Sequence, residues 1–364
     1  MKIAFTYLTA YKGTGGIEKF NRSFIAAIRE TEPAVQLVSL HDSKDVPGDV
    51  PVHAFNGRLL PYLRKVFAIL RETDVLFVGH VNLWVVILLG KFLKPRLKVV
   101  LIAHGIDVWN PMPVWKKKAL VKADHILAVS SYTRQRILDI FDVAPDKVSV
   151  FHNTIGYEMR TKPTLAPAAR LREKFGFSAT DRVVLTVARL SSGEAYKGYD
   201  KVIAALPEVR KLIPSVRYVI LGKYDEGEKQ RVDALIMTHG VQDLVRLAGY
   251  VDDEVLQAYY NLSDAFVMPS LHEGFGIVFI EAMAYGLPVV AGNKDGSVDA
   301  LDHGRLGTLV DPENPEEVRE AICACLADPT QADMEHRLKR QHDVYETFGY
   351  DRFVENLKTI LQTI

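Results

Sequence analysis

The stretch Ser270-Leu271-His272-Glu273-Gly274-Phe275-Gly276-Ile277-Val278-Phe279-Ile280-Glu281-Ala282-Met283-Ala284-Tyr285-Gly286-Leu287-Pro288-Val289-Val290 reads as a turn, a helix and a strand in direct succession. The Gly-Phe-Gly turn opens the helix, Gly286 stops it, and Pro288 leads an apolar strand. The same residues carry chemistry. The first amides of a helix lack internal partners and hold the positive end of its dipole, so Gly274 to Ile277 offer donors to a phosphate. Glu273 stands just before the helix and Glu281 about one turn inside it. Carboxylates there repel phosphate, which suits them to hydroxyls on either side of it. The plainer alternative makes Glu273 a capping acid and Glu281 a solvated helix residue.

Working outward, apolar strand patterns alternate with helical ones along the second half. Strands are predicted at Arg182 to Leu190, Val216 to Leu221, Val245 to Leu247, Ala265 to Met268, Val289 to Ala291 and Thr308 to Val310. The first half repeats this architecture, with strands at Lys2 to Thr9, Val35 to Leu40, Val75 to Val78, Lys98 to Ala103, His125 to Val129 and Lys147 to Phe151. Helical patterns fall near 17 to 31, 58 to 72, 82 to 93, 113 to 123 and 131 to 141. Such alternation predicts an α/β fold of two doubly wound parallel sheets. The polar stretch Gly156 to Pro167, containing Pro163 and Pro167, divides the chain into residues 1–160 and 161–343. Periodicity alone does not say where a last helix, about 351 to 362, packs.

A chain of 364 residues exceeds the size at which one core stops growing, which agrees with two domains. Lys plus Arg and Asp plus Glu both number 45, giving no global drive toward nucleic acid or membrane. Cys323 and Cys325 sit two apart in a helical pattern and point in different directions, as packing thiols of a reduced, cytoplasmic protein do. Met1-Lys2 runs straight into a strand, so no cleavable leader is expected, and the apolar run Leu83 to Leu89 falls short of the ~20 residues a spanning helix needs.

Three further constellations lie at predicted strand ends. Arg189 closes one strand, and Lys197 follows in Ser191-Ser192-Gly193-Glu194-Ala195-Tyr196-Lys197-Gly198. Ligands of open α/β sheets sit beyond strand carboxyl ends, so these cations can converge on one anion, or remain solvated loop charges. Tyr11-Lys12-Gly13-Thr14-Gly15-Gly16-Ile17-Glu18 is a phosphate-friendly loop opening a helix, but Glu18 stands where a dinucleotide fingerprint needs its third glycine. His104, in His104-Gly105-Ile106-Asp107, can donate to a sugar hydroxyl or stabilise developing charge, or be structural. Basic segments at Arg58 to Lys65, Lys91 to Lys98 and Trp115 to Lys118, interleaved with apolar residues, suit an anionic membrane surface or solvated helix faces. No Asp-x-Asp pair and no metal-like His or Cys spacing occurs, so no metal is expected.

Together these residues resemble the retaining glycosyltransferases of GT-B fold, family 4 (glycosyl transferases group 1). Glu273 to Glu281 with its Gly-Phe-Gly-Ile interior carries the likeness most specifically. Arg189 with Lys197-Gly198, Leu221-Gly222, Ala248-Gly249-Tyr250-Val251 and Gly292 to Ser297 support it in the same order. The resemblance implies two Rossmann-like domains, acceptor domain first and donor domain second, with 344–364 packing back on the first. It implies that Glu281 binds the donor ribose, Glu273 the transferred sugar, and the amides of Phe275, Gly276 and Ile277 the sugar and diphosphate. Arg189 and Lys197 would hold the diphosphate, Tyr250 and Val251 lie near the base, His104 contact the sugar, and Gly15 and Gly16 close over the phosphates. The spacing from Arg189 to Lys197 is longer than the family's commonest. The implied co-substrate is a UDP- or GDP-sugar, without cofactor or metal. The implied acceptor is a glycan or lipid-linked hydroxyl, with peripheral membrane contact through the N-terminal domain. A nucleotide-sugar epimerase and a catalytically silent nucleotide-sugar-binding protein are the competing readings.

Overall fold

Apolar runs buried on both faces form parallel strands covered by helices. The computed structural model, which describes residues 1–43, 50–166, 168–328 and 333–364, has this construction twice. One unit comprises Met1–Arg160 and Phe348–Ile364, the other Thr161–Thr347. Pro167, one of the two prolines marking the boundary in the sequence, lies outside the described residues.

In the first unit the strands are β1 (Ile3–Tyr7), β2 (Gln36–Ser39), β3 (Val52–Ala54), β4 (Val75–Val78), β5 (Lys98–Ala103), β6 (His125–Ala128) and β7 (Val148–Val150). They pair in parallel in the order β3-β2-β1-β4-β5-β6-β7. In the second unit β8 (Arg182–Val187), β9 (Val216–Leu221), β10 (Val245–Gly249), β11 (Ala265–Met268), β12 (Val289–Gly292) and β13 (Thr308–Val310) pair in the order β10-β9-β8-β11-β12-β13, again parallel. Both sheets reverse their strand order at one place, between β1 and β4 and between β8 and β11. In such folds the crevice at that reversal is where ligands bind.

Each sheet has its own apolar core. Leu76, Val99, Leu101 and Ile126 belong to the first, and Val184, Ile220, Val267 and Val290 to the second. The helix Gly16–Thr31 buries Phe20, Phe24, Ala27 and Ile28, an apolar stripe at helical spacing. The last helix, Tyr350–Thr363, buries Tyr350, Phe353, Val354 and Leu357 and completes the first unit. Phe353 packs on Phe20 and Phe151 with ring centroids 5.9 and 4.6 Å apart, and the Tyr350 hydroxyl donates to Glu30. Cys323 and Cys325 are free thiols on the helix Pro315–Ala327.

Candidate active site

In the second unit the chain leaves β8 through Arg189 and enters a 3-10 segment, Ser192–Lys197, before the helix Tyr199–Leu212. This segment takes up the long spacing between the two cations. The amide of Leu271 donates to the Tyr196 carbonyl at 3.0 Å, which sets Lys197 against the loop that follows β11. Lys197 Nζ donates to Glu273 Oε1 at 2.5 Å, with side chains only 16% and 11% exposed. Burial works against charge on Lys197, but Glu273, Tyr196 and Asp295 together raise its pKa. Arg189 does not join them. Its side chain is 66% exposed and its guanidinium pairs with Glu194, so the two cations take separate carboxylates here.

Asp295, just beyond β12, holds the Glu273 loop. Its Oδ2 accepts from the Glu273 amide at 2.7 Å and the Ser270 hydroxyl at 3.1 Å, and its Oδ1 from the Ser297 amide at 2.9 Å. Burial pushes its pKa up to about 6 against those hydrogen bonds. The Gly296 amide donates to the Glu273 carbonyl at 2.9 Å, and a Cβ on Gly296 would stand 2.2 Å from the Gly274 carbonyl oxygen. The helix Ile277–Ala284 begins after Gly276, whose φ of +87° favours glycine, and no side chain caps it. Glu273 is therefore not its cap. Glu281 is buried on this helix and accepts from the Tyr260 hydroxyl at 3.2 Å, so it is not a solvated residue either. Burial and then Glu281 push the Tyr260 pKa well up, which keeps that hydroxyl a donor. Phe275 and Ile277 bury their side chains, so their backbone is what they can offer a ligand. Gly222 follows β9, where a Cβ would lie 1.8 Å from the Ala188 carbonyl oxygen, so the loops after β8 and β9 meet backbone to backbone. Tyr250 and Val251 follow the edge strand β10, Tyr250 exposed.

Gly15, Gly16 and His104 belong to the first unit. Gly15 precedes the helix Gly16–Thr31, and a Cβ there would stand 2.5 Å from Glu18 Oε2. Upstream, the amides of Ala10, Tyr11 and Lys12 converge on Asp42 at 3.0 to 3.2 Å, joined by the Thr9 and Ser39 hydroxyls. A carboxylate of the chain itself thus takes the donors that begin this loop.

His104 follows β5, and its Nε2 lies 2.9 Å from the Gly79 carbonyl, which can only accept. That bond assigns the ring proton to Nε2. Burial holds the His104 pKa down to about 4, so the ring is neutral near pH 7 and Nδ1 is an acceptor. The Nε2 proton is thus engaged with the Gly79 carbonyl, and burial disfavours a second proton on the ring. Asp107 sits beside it, its Oδ1 accepting from the His104 amide at 3.1 Å, and His80 Nε2 stands 4.0 Å from Asp107 Oδ2.

Sequence reasoning missed Asp42, His80 and Tyr260 and read Asp295 only as part of a loop. Asp42, His80 and Asp295 each lie within three residues after β2, β4 or β12, so position at a strand's carboxyl end was the available signal. Among the described residues no group of three or more His, Cys, Asp or Glu side chains is arranged to hold a metal ion, and no helix is long and apolar enough to cross a membrane.

Residues 168–343 match the sequence family described as glycosyl transferases group 1, and residues 14–158 match glycosyltransferase family 4. The chain belongs to this glycosyltransferase family. The GDP-mannose-dependent alpha-(1-6)-phosphatidylinositol monomannoside mannosyltransferase of Mycobacterium tuberculosis is 32% identical over 247 residues, covering 65% of this chain and 62% of that protein. The enzyme of the same description from Mycolicibacterium smegmatis is 34% identical over 251 residues, with the same coverages. The chain thus spans about three fifths of the length of these relatives. Anabaena HepE in complex with UDP superposes with a TM-score of 0.81 at 22% identity, covering 100% of both chains. At that identity the likeness is one of fold, the two-domain GT-B fold of this glycosyltransferase family.

Proposed function

We propose that this family member transfers a sugar from a UDP- or GDP-sugar to a hydroxyl of a glycan or lipid-linked acceptor, retaining anomeric configuration and using no divalent metal. The Lys197–Glu273 pair carries the reading. It joins the segment after β8 to the loop after β11, at the strand reversal and just before the helix Ile277–Ala284. Breaking the anomeric bond leaves negative charge on the diphosphate, and the barrier falls if that charge is met where it develops. Lys197, Arg189 and the amides of Phe275, Gly276 and Ile277 supply that stabilisation. A diphosphate competes with Glu194 for Arg189 and with Glu273 for Lys197, freeing Glu273 to take a hydroxyl of the transferred sugar. Glu281 takes the ribose hydroxyls, Gly222 lets backbone approach, and Tyr250 and Val251 border the base. Residues 1–160 with the last helix serve the acceptor, with Gly15 and Gly16 near phosphate and His104 accepting from a sugar hydroxyl. Relatives that use GDP-mannose and a fold neighbour complexed with UDP support both nucleotide classes.

The protein works in the cytoplasm, with its first unit touching the inner face of a membrane. Leu60, Arg64, Lys65, Phe67, Leu93 and Lys94 help line an open groove of about 1380 Å³ in that unit, an apolar surface edged by cations. Sedimentation with phosphatidylserine vesicles, weakened by salt, is the expected behaviour.

A panel of UDP- and GDP-sugars tests the transfer. The productive donor should raise the unfolding temperature, since a ligand at 100 times its Kd adds ~2.7 kcal/mol. Adding acceptor should speed nucleotide release, with EDTA without effect. Binding without turnover on any acceptor refutes the transferase reading, and acceptor-independent conversion of the donor sugar to its epimer replaces it with an epimerase.

A further inference from the structure

Beside His104 lies a polar pair that the proposed transfer does not use. His80 and Asp107 come from the segments after β4 and β5, and their side chains are only 10% and 8% exposed. Asp107 Oδ1 accepts from the His104 amide at 3.1 Å, but its Oδ2 is buried without a hydrogen-bond partner. Leaving such a group unpaired is costly, so it persists in folded proteins for a reason.

The partner across the gap has a defined proton. His80 Nδ1 accepts from the Asn82 amide at 3.0 Å, which assigns the hydrogen of the neutral ring to Nε2, the nitrogen nearest Asp107. Burial, the neighbouring His104 and Lys116 hold the His80 pKa down to about 3, so the ring stays neutral. The 4.0 Å separation from Nε2 to Oδ2 is too long for a direct hydrogen bond. A hydroxyl oxygen bridging the two atoms would span that distance with two arms of ordinary hydrogen-bond length. Lys116 is the nearby cation, and its Nζ donates to Asn82 Oδ1 at 2.5 Å.

We propose that His80 Nε2 and Asp107 Oδ2 form a binding site for one sugar hydroxyl, which accepts from the histidine and bonds the carboxyl. A hydroxyl suits this place better than an anion or an amine. The pair combines a donor with a carboxyl that burial pushes up to about 7, against amide hydrogen bonds. The carboxyl therefore accepts when ionised and donates when protonated, and a hydroxyl serves either form. An anion would face the carboxylate, and an ammonium would face the histidine donor. Assigning the hydroxyl to an acceptor or to the transferred sugar rests on the glycosyl-transfer reading, but the existence of the site does not.

The test is a titration followed by NMR at the backbone amides of Asn82 and His104, which bond the two side chains. The probes are methyl α-D-mannopyranoside, UDP-glucose and GDP-mannose, with 1,4-dioxane, UDP and GDP as controls lacking a hexose hydroxyl. A saturable shift with the hexoside assigns the site to an acceptor hydroxyl. A shift with a nucleotide sugar but not its nucleotide assigns it to the transferred sugar. Asp107→Leu and His80→Phe, which remove the hydrogen-bonding groups, should weaken the effective probe about ten- to a hundredfold, while His80→Gln, which keeps a donor near the Nε2 position, should retain most of it. No saturable shift in the unaltered protein, or an equal shift with dioxane, overturns the proposal whatever the variants do. If the protein proves to have no transferase activity, this titration still decides whether the hydroxyl site exists.

Discussion

Replacing Lys197 with methionine keeps the length of the side chain and removes its charge, leaving Glu273 buried beside Asp295 with no cation. At 2.5 Å and the effective dielectric of a partly buried site the attraction in the Lys197–Glu273 pair is ~6–7 kcal/mol. Most of it offsets the cost of taking both charges out of water, so the net worth of the pair is small. The cost of breaking it from one side is not, and ~3–5 kcal/mol is expected for a single substitution. For a unit of this size each kcal/mol shifts the midpoint by about 2–4 °C, so Lys197→Met should lower the second unit's transition by roughly 6–20 °C. The protein offers a convenient internal reference. Its three tryptophans, Trp84, Trp109 and Trp115, all lie in the first unit, so their fluorescence reports that unit alone. Calorimetry should record the loss while the fluorescence midpoint stays in place. Glu273→Gln alone should cost a comparable amount, and the double variant should recover to within ~1 kcal/mol of the unaltered protein. A double variant as unstable as the two singles summed refutes the coupling.

Three other expectations follow from the same geometry. Gly296→Ala places a Cβ 2.2 Å from the Gly274 carbonyl oxygen and must displace the Glu273 loop, whereas Gly193→Ala meets nothing within 4 Å. Nucleotide-sugar protection in a thermal shift assay should fall with the first and persist with the second, and equal behaviour would contradict the clamp. Glu281→Gln should weaken binding of UDP and GDP by about tenfold or more, read by calorimetric titration, because an amide replaces a charge-assisted acceptor for hydroxyls. The third concerns pH. His80 and His104, held down to about 3 and 4, bind fewer protons folded than unfolded below pH 6.5, so their contribution is lost on acidification. Asp107 and Asp295, held up to about 7 and 6, bind more protons folded than unfolded above pH 3.8, so theirs is lost as pH rises. The two slopes oppose each other between about pH 4.5 and 6, and Asp107→Asn removes one of the two carboxyls behind the second. The variant should lose ~1.4 kcal/mol more than the unaltered protein per unit of acidification there, and parallel urea-unfolding curves would sink the assignment.

The sheets are legible in the sequence because parallel strands buried on both faces are uninterrupted apolar runs, as in Val75–Val78 and Ala265–Met268. β3 is not, since Val52-His53-Ala54 is too short to display a period. The frame of Glu273 and Glu281 is legible because helix geometry is local: eight positions put one acid before the helix and the other a turn inside it. What each charge touches is a long-range matter. Nothing in the spacing of Arg189 and Lys197 says that a 3-10 segment will deliver one to Glu273 and leave the other with Glu194. Glu273 in turn depends on Asp295, on a loop after a different strand. The tautomer of His104 is set by a carbonyl 25 positions away, which no local pattern encodes.

The last helix has a consequence for synthesis. Tyr350–Thr363 covers the face of the helix Gly16–Thr31 that carries Phe20, yet it leaves the ribosome only after the whole of Thr161–Thr347. At ~5–20 residues per second the intervening unit takes on the order of ten to forty seconds to translate. For that interval the nascent first unit shows an uncovered aromatic ledge to chaperones and to neighbouring chains, and a stop codon anywhere before Tyr350 would make the exposure permanent.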